Sequence, residues 1–360
     1  MKRLSTLQLI PGMIVAENIL TYDHQLVLSK GTVLTDKTIT RLDLYGILTI
    51  YVEDSTPAPS GAPASAMEQP SYSERVINSP EFKRFRKEYQ KGLESLKDTI
   101  NNVVRRNMKL DVPALLQNCL DIIAGSRGQI GIIDMLWNMR EYDDSTFAHC
   151  MNVALISNIF TTWLKWPKED VEMATACGLL HDIGKLSVPY AILTKPGKLS
   201  AEEYEQIKRH PISGYQMLLA HNVDEHILYA ALMHHERNDG TGYPMHLTGK
   251  QIDRFARVIA IADVYDAMTS SRVYRGPLCP FRVIEIFEAE GFQKYDVEYL
   301  LPFLENVVNT YIRNRCLLSD GRAGDIIYVN KSKLSRPIVQ CGTEYVNLSE
   351  CPDLAITRLL

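Results

Sequence analysis

At residues 174–185 the chain reads ATACGLLHDIGK, a mostly apolar run that ends in a histidine, an aspartate, a glycine and a lysine. The small and apolar residues before His181 favour a buried helix, so His181 and Asp182 stand at its end, beside a core. Helical periodicity continues outward from about residue 112 to residue 318, with breaks at short segments containing Gly and Pro. The pattern predicts a mainly α fold built as a helical bundle.

Side chains that bind metals recur where burial would otherwise penalise them. Most of them follow or interrupt an apolar helical run, and His210 stands just before Pro211. The set is His149, His181, Asp182, His210, His234, His235 and Asp263. Asp263 interrupts an apolar stretch from Val258 to Val264, and a buried carboxylate costs several kcal/mol unless a cation or strong donors compensate it. A lone histidine in an apolar helix is ordinarily a core residue. Seven such side chains in one pattern instead favour a metal centre.

The donor set indicates which metals this centre would hold. Imidazole and carboxylate without thiolate favour Fe or Mn, with Zn, Ni and Co as alternatives, over a cysteine-rich structural zinc site. Seven ligands are too many for one divalent ion, so we expect two ions, with Asp182 as the bridge. Such a pair holds a hydroxide at neutral pH and stabilises both oxygens of an in-line displacement at phosphorus. The pattern therefore predicts a phosphohydrolase.

Changes in composition divide the chain into five predicted segments. They are a small regulatory-type module at 1–54, a linker rich in Pro, Ala and Ser at 55–78, a long amphipathic helix with connecting helices at 79–128, the helical domain with the seven side chains at 129–318, and a C-terminal β appendage at 319–360. The first module reads as α/β, with a hairpin around Tyr22–His24, a short helix from Thr35 to Gly46 and a strand at Ile47–Val52. Three short strands are predicted in the appendage, at 325–329, 337–340 and 344–348.

The long helix has a clear start and a single apolar stripe. Ser79 is a suitable N-cap and Pro80 suits the first helical position. The stripe steps by three or four residues through Phe82, Phe85, Tyr89, Leu93, Leu96, Ile100 and Val103. Two interpretations stay open: the helix packs on its own domain, or residues 79–104 form a homodimer and transmit a signal from the first module.

Composition excludes several classes of protein. A net charge of -4 argues against a protein that coats nucleic acid or acidic membrane. We expect no membrane span, because no apolar stretch approaches the roughly 20 residues that a bilayer requires, and we expect no signal peptide. Seven cysteines without a Cys-x-x-Cys pair are typical of reduced thiols. A cytoplasmic location follows as an expectation.

Two motifs carry a resemblance to a known family. HDIGK at 181–185, followed by HHERNDGTGYP at 234–244, resembles the HD-GYP family, and IADVYDAMTSSRVYR at 261–275 is similar to its third signature. The similarity covers roughly residues 130 to 315. It implies an all-helical core and metal-dependent hydrolysis of cyclic di-GMP to linear pGpG, and often onward to GMP.

The resemblance also implies roles for individual residues. Lys185 and Asp182 would be catalytic, and substrate would be bound by Lys185, Arg272, Arg275 and Asp266. Arg side chains match phosphate or a guanine edge with two hydrogen bonds, whereas Lys acts as a point charge on a phosphoryl oxygen. Some members have an acidic ligand before the first histidine that binds a third metal. Ser145 occupies that position here, which favours two ions.

Other functions remain as alternatives. A different cyclic dinucleotide such as 3′,3′-cyclic GMP-AMP would use the same metals with another base pocket, and the scaffold would also serve a non-catalytic cyclic-dinucleotide sensor. A nucleoside triphosphate hydrolase would share His-Asp but would not need the Gly-Tyr-Pro loop. Diguanylate cyclase-type proteins are the expected signalling partners. Glu236, Tyr243 and Pro244 are expected to shape their loop rather than touch substrate.

Overall fold

The computed structural model describes most of the chain. The described residues are 2–5, 9, 13–20, 26–35, 38, 42, 47, 49–53, 72–106, 108–126, 131–139, 146–195, 197–270 and 276–360. Contacts divide the chain into two compact units: Met1–Gln69 with Asp320–Arg322, and Pro70–Ser319 with Ala323–Leu360.

The first unit contains two small antiparallel sheets. β1 (Lys2–Ser5) pairs with β4 (Thr49–Val52), and β2 (Ile19–Leu20) pairs with β3 (Leu26–Leu28). Buried apolar side chains that include Val15, Leu34 and Leu42 form its core. The hairpin and the strand after residue 47 are confirmed. The turn at Tyr22–His24 and most of the helix expected to end at Gly46 lie outside the described residues.

Helices build the second unit. In chain order they are α1 (Tyr72–Asn78), α2 (Pro80–Arg106), α3 (Val112–Gly125), α4 (Ile132–Met139), α5 (Thr146–Trp163), α6 (Lys168–Leu180), α7 (Tyr190–Leu193), α8 (Ala201–Ile207), α9 (His210–Leu219), α10 (Glu225–Met233), α11 (Arg254–Thr269), α12 (Pro280–Ile286), α13 (Phe292–Lys294) and α14 (Val297–Thr310). Short 3₁₀ helices cover Ile183–Ser187 and Gly249–Gln251, and a π-helix covers Phe287–Gly291. The predicted mainly α fold is confirmed.

The helix α1 was not predicted. It lies within the stretch 55–78 that was predicted as linker. Val76 is buried in the main core, so this short segment is held by packing that the composition of the linker does not reveal.

The long helix α2 packs on its own unit. Ser79 caps it, with its hydroxyl oxygen 3.0 Å from the backbone nitrogen of Phe82. Every predicted stripe residue is buried in the core shared with α5 and α11. Because this stripe is already covered, it is not available as the apolar face of a dimer in this structure.

A five-stranded antiparallel sheet follows α14. Its spatial order is β8 (Glu344–Asn347), β7 (Ile338–Cys341), β6 (Ala323–Tyr328), β5 (Arg315–Leu318) and β9 (Ile356–Leu359). β6, β7 and β8 correspond to the three predicted strands, whereas β5 and β9 were not predicted. The buried faces of these strands join the same hydrophobic cluster as the helices. The predicted boundaries at 128 and 318 therefore do not separate cores, and the five-segment division stays a prediction.

No helix in the described part of the chain combines the length and hydropathy required for a membrane crossing.

Candidate metal centre

Three helices, and the turns that follow two other helices, bring the predicted metal ligands together. His149 lies within α5 and Asp263 within α11, while His210 is the first residue of α9. The remaining ligands follow the ends of two helices: His181 and Asp182 come after α6, and His234 and His235 come after α10. Of these seven residues, all but His235 are buried to at least about nine-tenths. The side chains scattered over residues 149–263 converge on one site.

A glycine allows two of these segments to approach closely. A Cβ atom built on Gly184 would lie 2.0 Å from the backbone oxygen of His210 and 2.5 Å from the backbone nitrogen of Gly214. Only a residue without a side chain fits there, so the 3₁₀ helix packs directly on the start of α9. This contact places Asp182 beside His210, with Asp182 Oδ1 3.2 Å from His210 Nε2.

Two groups of potential ligand atoms share one carboxylate. One atom from each of Asp182, His210, His234 and His235 falls within a cluster whose members all lie within 4.8 Å of one another. His149, His181 and Asp182 form a second cluster by the same measure. Asp182 is the only residue in both of these groups.

Asp263 stands beside the two groups. Its Oδ1 lies 3.0 Å from His149 Nε2, and its Oδ2 lies 3.9 Å from His235 Nδ1. It belongs to neither of the tight clusters, although it contacts a member of each. Its predicted role as a ligand is compatible with this placement and stays a prediction.

Two buried polar atoms that make no hydrogen bond indicate that the donor set suits a cation. Among the described residues, His181 Nε2 and Asp182 Oδ1 are buried and make no hydrogen bond. Such atoms cost free energy unless something compensates them, and both are atoms that metals accept. The side chains therefore fit a divalent transition metal.

The rings of three histidines are oriented so that the same nitrogen, Nε2, faces Asp182. The Nδ1 atoms of His181, His210 and His234 lie 2.8, 2.7 and 3.0 Å from the backbone oxygens of Gly178, Ile207 and Ala230, respectively. An Nδ1–H that donates to a carbonyl leaves Nε2 with a free lone pair. This is the arrangement of preorganised metal ligands.

Electrostatics keep both site aspartates ionised. Burial would raise the pKa of Asp182, but Lys185 and His181 hold it well below its usual range. Burial would likewise raise the pKa of Asp263, and its hydrogen bond with His149 holds it well below normal. The site therefore presents two carboxylates to a cation at neutral pH.

The histidine pKa values move in opposite directions. Burial alone would lower the pKa of His149, but hydrogen bonds with Asp263 and Asp266 raise it to about 9. Burial lowers the pKa of His234 to about 4, and burial together with His234 lowers that of His235 well below its usual value. His234 and His235 are therefore neutral and ready to coordinate at pH 7.

Comparisons with known proteins agree with this geometry. The family model described as an HD domain matches residues 137–299. The chain carries an HD domain. A cyclic di-GMP phosphodiesterase of Pseudomonas aeruginosa is 36% identical over 206 residues, which are 57% of this chain and 50% of that protein. The 3′3′-cGAMP-specific phosphodiesterase 1 of Vibrio cholerae is 41% identical over 148 residues, covering 40% of this chain and 34% of that protein.

These matches confirm the resemblance to HD-GYP proteins, but each covers only part of the relative's length. The chain spans about half the length of the Pseudomonas relative and about a third of the Vibrio one. A solved structure, an HDG"Y"P protein from Bdellovibrio bacteriovorus, aligns with a TM-score of 0.52, 16% identity and coverage of 85% of this chain and 99% of that one. At that identity it supports the fold of the HD domain alone.

Asp266 does not have the position expected for a substrate contact in this HD domain. It is 1% exposed, and its Oδ2 lies 2.7 Å from His149 Nδ1, on the side of the ring away from Asp182. Its Oδ1 accepts hydrogen bonds from Asn152 Nδ2 and Ser270 Oγ, each at 3.1 Å. With both oxygens engaged, Asp266 is placed to orient the His149 ring rather than to contact substrate, and the sequence did not indicate this placement.

The other predicted substrate contacts divide into two cases. Lys185 Nζ lies 2.5 Å from Asp182 Oδ2 and is 20% exposed, so its charge stands at the edge of the centre. Arg272 and Arg275 lie outside the described residues, as does Ser145 at the position relevant to a third metal.

The Gly-Tyr-Pro loop of the HD domain is held by Glu236. This carboxylate is 2% exposed and accepts the backbone N–H groups of Met245 at 2.6 Å and Leu247 at 3.0 Å. Tyr243 stacks on His235 with ring centroids 4.7 Å apart. Both observations agree with the predicted structural roles of Glu236 and Tyr243.

We expect Gly184→Ala to displace α9 and lower metal binding. The added methyl group overlaps backbone atoms, which cannot rotate away, so the free energy of unfolding should fall by about 1–3 kcal/mol or more. Thermal denaturation and metal analysis would measure the two effects. Gly131→Ala is the matched control, because a Cβ there meets no atom within 4 Å. Equal behaviour of the two variants would contradict the close contact.

We expect Asp266→Asn to weaken metal binding roughly 10- to 100-fold, because the partner that orients His149 loses its charge. The comparison is best made near pH 9, since the pKa of about 9 means that protons compete for the wild-type His149 below that pH. The same variant should lower the pKa of His149 in the metal-free protein, measured by histidine NMR. An unchanged pKa and affinity would argue against the orienting role.

Proposed function

We propose that this chain is a metal-dependent phosphodiesterase that hydrolyses cyclic di-GMP to linear pGpG, with some further conversion to GMP. The observation that carries the proposal is the presence of Asp182 in both clusters of ligand atoms. A shared carboxylate is typical of two-metal sites that act on phosphate esters. The HD domain and its cyclic di-GMP phosphodiesterase relative support the same reaction.

The proposed cofactors are two divalent transition-metal ions, Fe or Mn first, with Zn, Ni and Co as alternatives. His210, His234 and His235 would hold one ion, His149 and His181 the other, with Asp182 between them and Asp263 beside both groups. When bound, the ions supply a nucleophile at neutral pH and charge that stabilises the attacking and leaving oxygens.

Side chains of the protein would contact the phosphate, orient His149 and hold the loop beside the centre. The paired Lys185 ammonium, at the edge of the centre, would meet a non-bridging oxygen of the scissile phosphate. Asp266 holds the His149 ring, so that its Nε2 faces Asp182 and Asp263. Glu236 holds the loop whose Tyr243 lies against His235. Phosphate or base contacts from Arg272 and Arg275 remain part of the proposal.

A second substrate is a specific alternative. A relative 41% identical to this chain is named a 3′3′-cGAMP-specific phosphodiesterase. The metal side chains would act on any phosphodiester, so the base pocket determines which cyclic dinucleotide is accepted. A non-catalytic sensor is less favoured, because the complete donor set and Lys185 are present.

The decisive experiment is turnover by the full chain. Metal-depleted protein is loaded with Mn(II) or Fe(II) and incubated separately with cyclic di-GMP and 3′,3′-cyclic GMP-AMP, and products are separated by chromatography. We expect pGpG to appear only in the metal-loaded samples. Binding of either dinucleotide without any product would favour the sensor, and faster conversion of cyclic GMP-AMP would favour the alternative substrate.

A further inference from the structure

One residue of the apolar stripe of α2, Tyr89, carries a polar hydroxyl group. Tyr89 is 3% exposed, and its hydroxyl donates to Asn152 Oδ1 at 2.7 Å. The neighbouring stripe residue Phe85 contacts the Tyr89 ring, with centroids 5.8 Å apart, and makes no such bond. A hydroxyl is not needed to fill the core, so its presence calls for a polar explanation.

The hydrogen bond continues from Tyr89 to the metal centre. Asn152 Nδ2 donates to Asp266 Oδ1 at 3.1 Å, and Asp266 Oδ2 lies 2.7 Å from His149 Nδ1. The opposite ring nitrogen, His149 Nε2, lies 3.5 Å from Asp182 Oδ2. A continuous set of contacts therefore joins α2 to one member of the candidate ligand set.

The direction of these bonds is consistent along the whole series. The tyrosine donates to the amide oxygen, the amide nitrogen donates to the carboxylate, and the carboxylate accepts Nδ1–H of the imidazole. With Nδ1 held by Asp266, Nε2, which lies 3.0 Å from Asp263 Oδ1, is the ring nitrogen available to a cation once it loses its own proton. Without the Tyr89 bond the amide of Asn152 loses a partner that fixes its rotation, and Asp266 loses part of its support.

We propose that Tyr89 and Asn152 are positioning residues for His149, and that through them α2 sets the affinity of the ion bound by the cluster of His149, His181 and Asp182. The inference rests on the metal centre of the proposed function, but not on its substrate. It assigns the long helix a role beyond packing, because a displacement of α2 would alter the support of a metal ligand.

The test compares Tyr89→Phe with the wild-type full chain by metal titration. Loss of one hydrogen bond in the series should weaken the ion held by His149 about fivefold and leave the second ion unchanged. Tyr311→Phe is the matched control: Tyr311 is also buried, and its hydroxyl lies 3.3 Å from that of Tyr265. Calorimetric titration with Mn(II) resolves the two binding steps, and thermal melting verifies that both variants fold.

A double-mutant cycle distinguishes positioning from general packing. In the Asp266→Asn background, Tyr89→Phe should have little further effect, because the series is already broken at His149. An equally large effect in that background, or the same loss of affinity in Tyr311→Phe, would overturn the inference. Wild-type protein that binds metal but releases no pGpG would overturn only the proposed function, whereas wild-type protein that binds no metal would overturn both.

Discussion

Asp182→Ala should abolish turnover and reduce the bound metal in the same preparation. The aspartate is the one residue common to both clusters of candidate ligands, so its removal affects both ion positions together. The several kcal/mol of charge stabilisation that two ions provide would be lost, which corresponds to a rate decrease of at least about a thousandfold. Elemental analysis of purified protein and product chromatography measure the two outcomes.

The control for Asp182→Ala is Asp98→Ala, which removes an exposed carboxylate from α2. We expect this variant to keep its metal and its activity. If Asp182→Ala retained two ions per chain, the inference that both ions share this carboxylate would be wrong. If it lost metal but kept its activity, the proposed chemistry would be wrong instead.

Glu236→Ala should have the largest effect on stability. The change leaves the backbone N–H groups of Met245 and Leu247 without their carboxylate acceptor. Hydrogen bonds to a charged acceptor contribute about 1.5–3 kcal/mol each, so the loss of these two part-buried bonds should lower the free energy of unfolding by about 2–5 kcal/mol. Because the same loop brings Tyr243 against His235, metal binding should weaken as well. Chemical denaturation and metal titration provide the measurements.

A matched variant for Glu236→Ala is Glu94→Ala, at an exposed position of α2. Exposed substitutions without partners usually change stability by less than about 0.5 kcal/mol. A Glu236→Ala protein as stable as Glu94→Ala would show that the loop does not depend on this carboxylate. In that case Glu236 would have to be reconsidered as an acid or base near the centre.

The candidate ligand set could be predicted from the sequence because most of its residues break an apolar pattern. Asp263 within α11 and His149 within α5 stand where a buried polar group needs compensation, and the structure buries both. The cap at Ser79 and the apolar stripe of α2 could be predicted from the sequence equally well, because each depends on residues only a few positions apart. These features depend on local spacing and not on how the helices pack against one another.

The prediction for Asp266 failed for a related reason. It lies three residues after Asp263, close to one turn further along the same helix, so the sequence placed it near the site. Whether its oxygens face the substrate or the back of His149 depends on how α11 crosses α5, which no spacing along α11 reveals. The strands β5 and β9 pair with each other, with Cys316 opposite Leu359, and no pattern within either short segment reveals a partner so far along the chain.

The sequence by itself determined the fold class, the seven candidate ligands and the resemblance to HD-GYP proteins, because burial patterns and motif spacing depend only on the order of residues along the chain. Only the tertiary structure decided that Asp182 is common to both ligand clusters, that Asp266 lies behind His149, and that Tyr89 reaches the centre through Asn152. Those relations join residues as many as 117 positions apart, and their distances are fixed by helix packing rather than by any local preference.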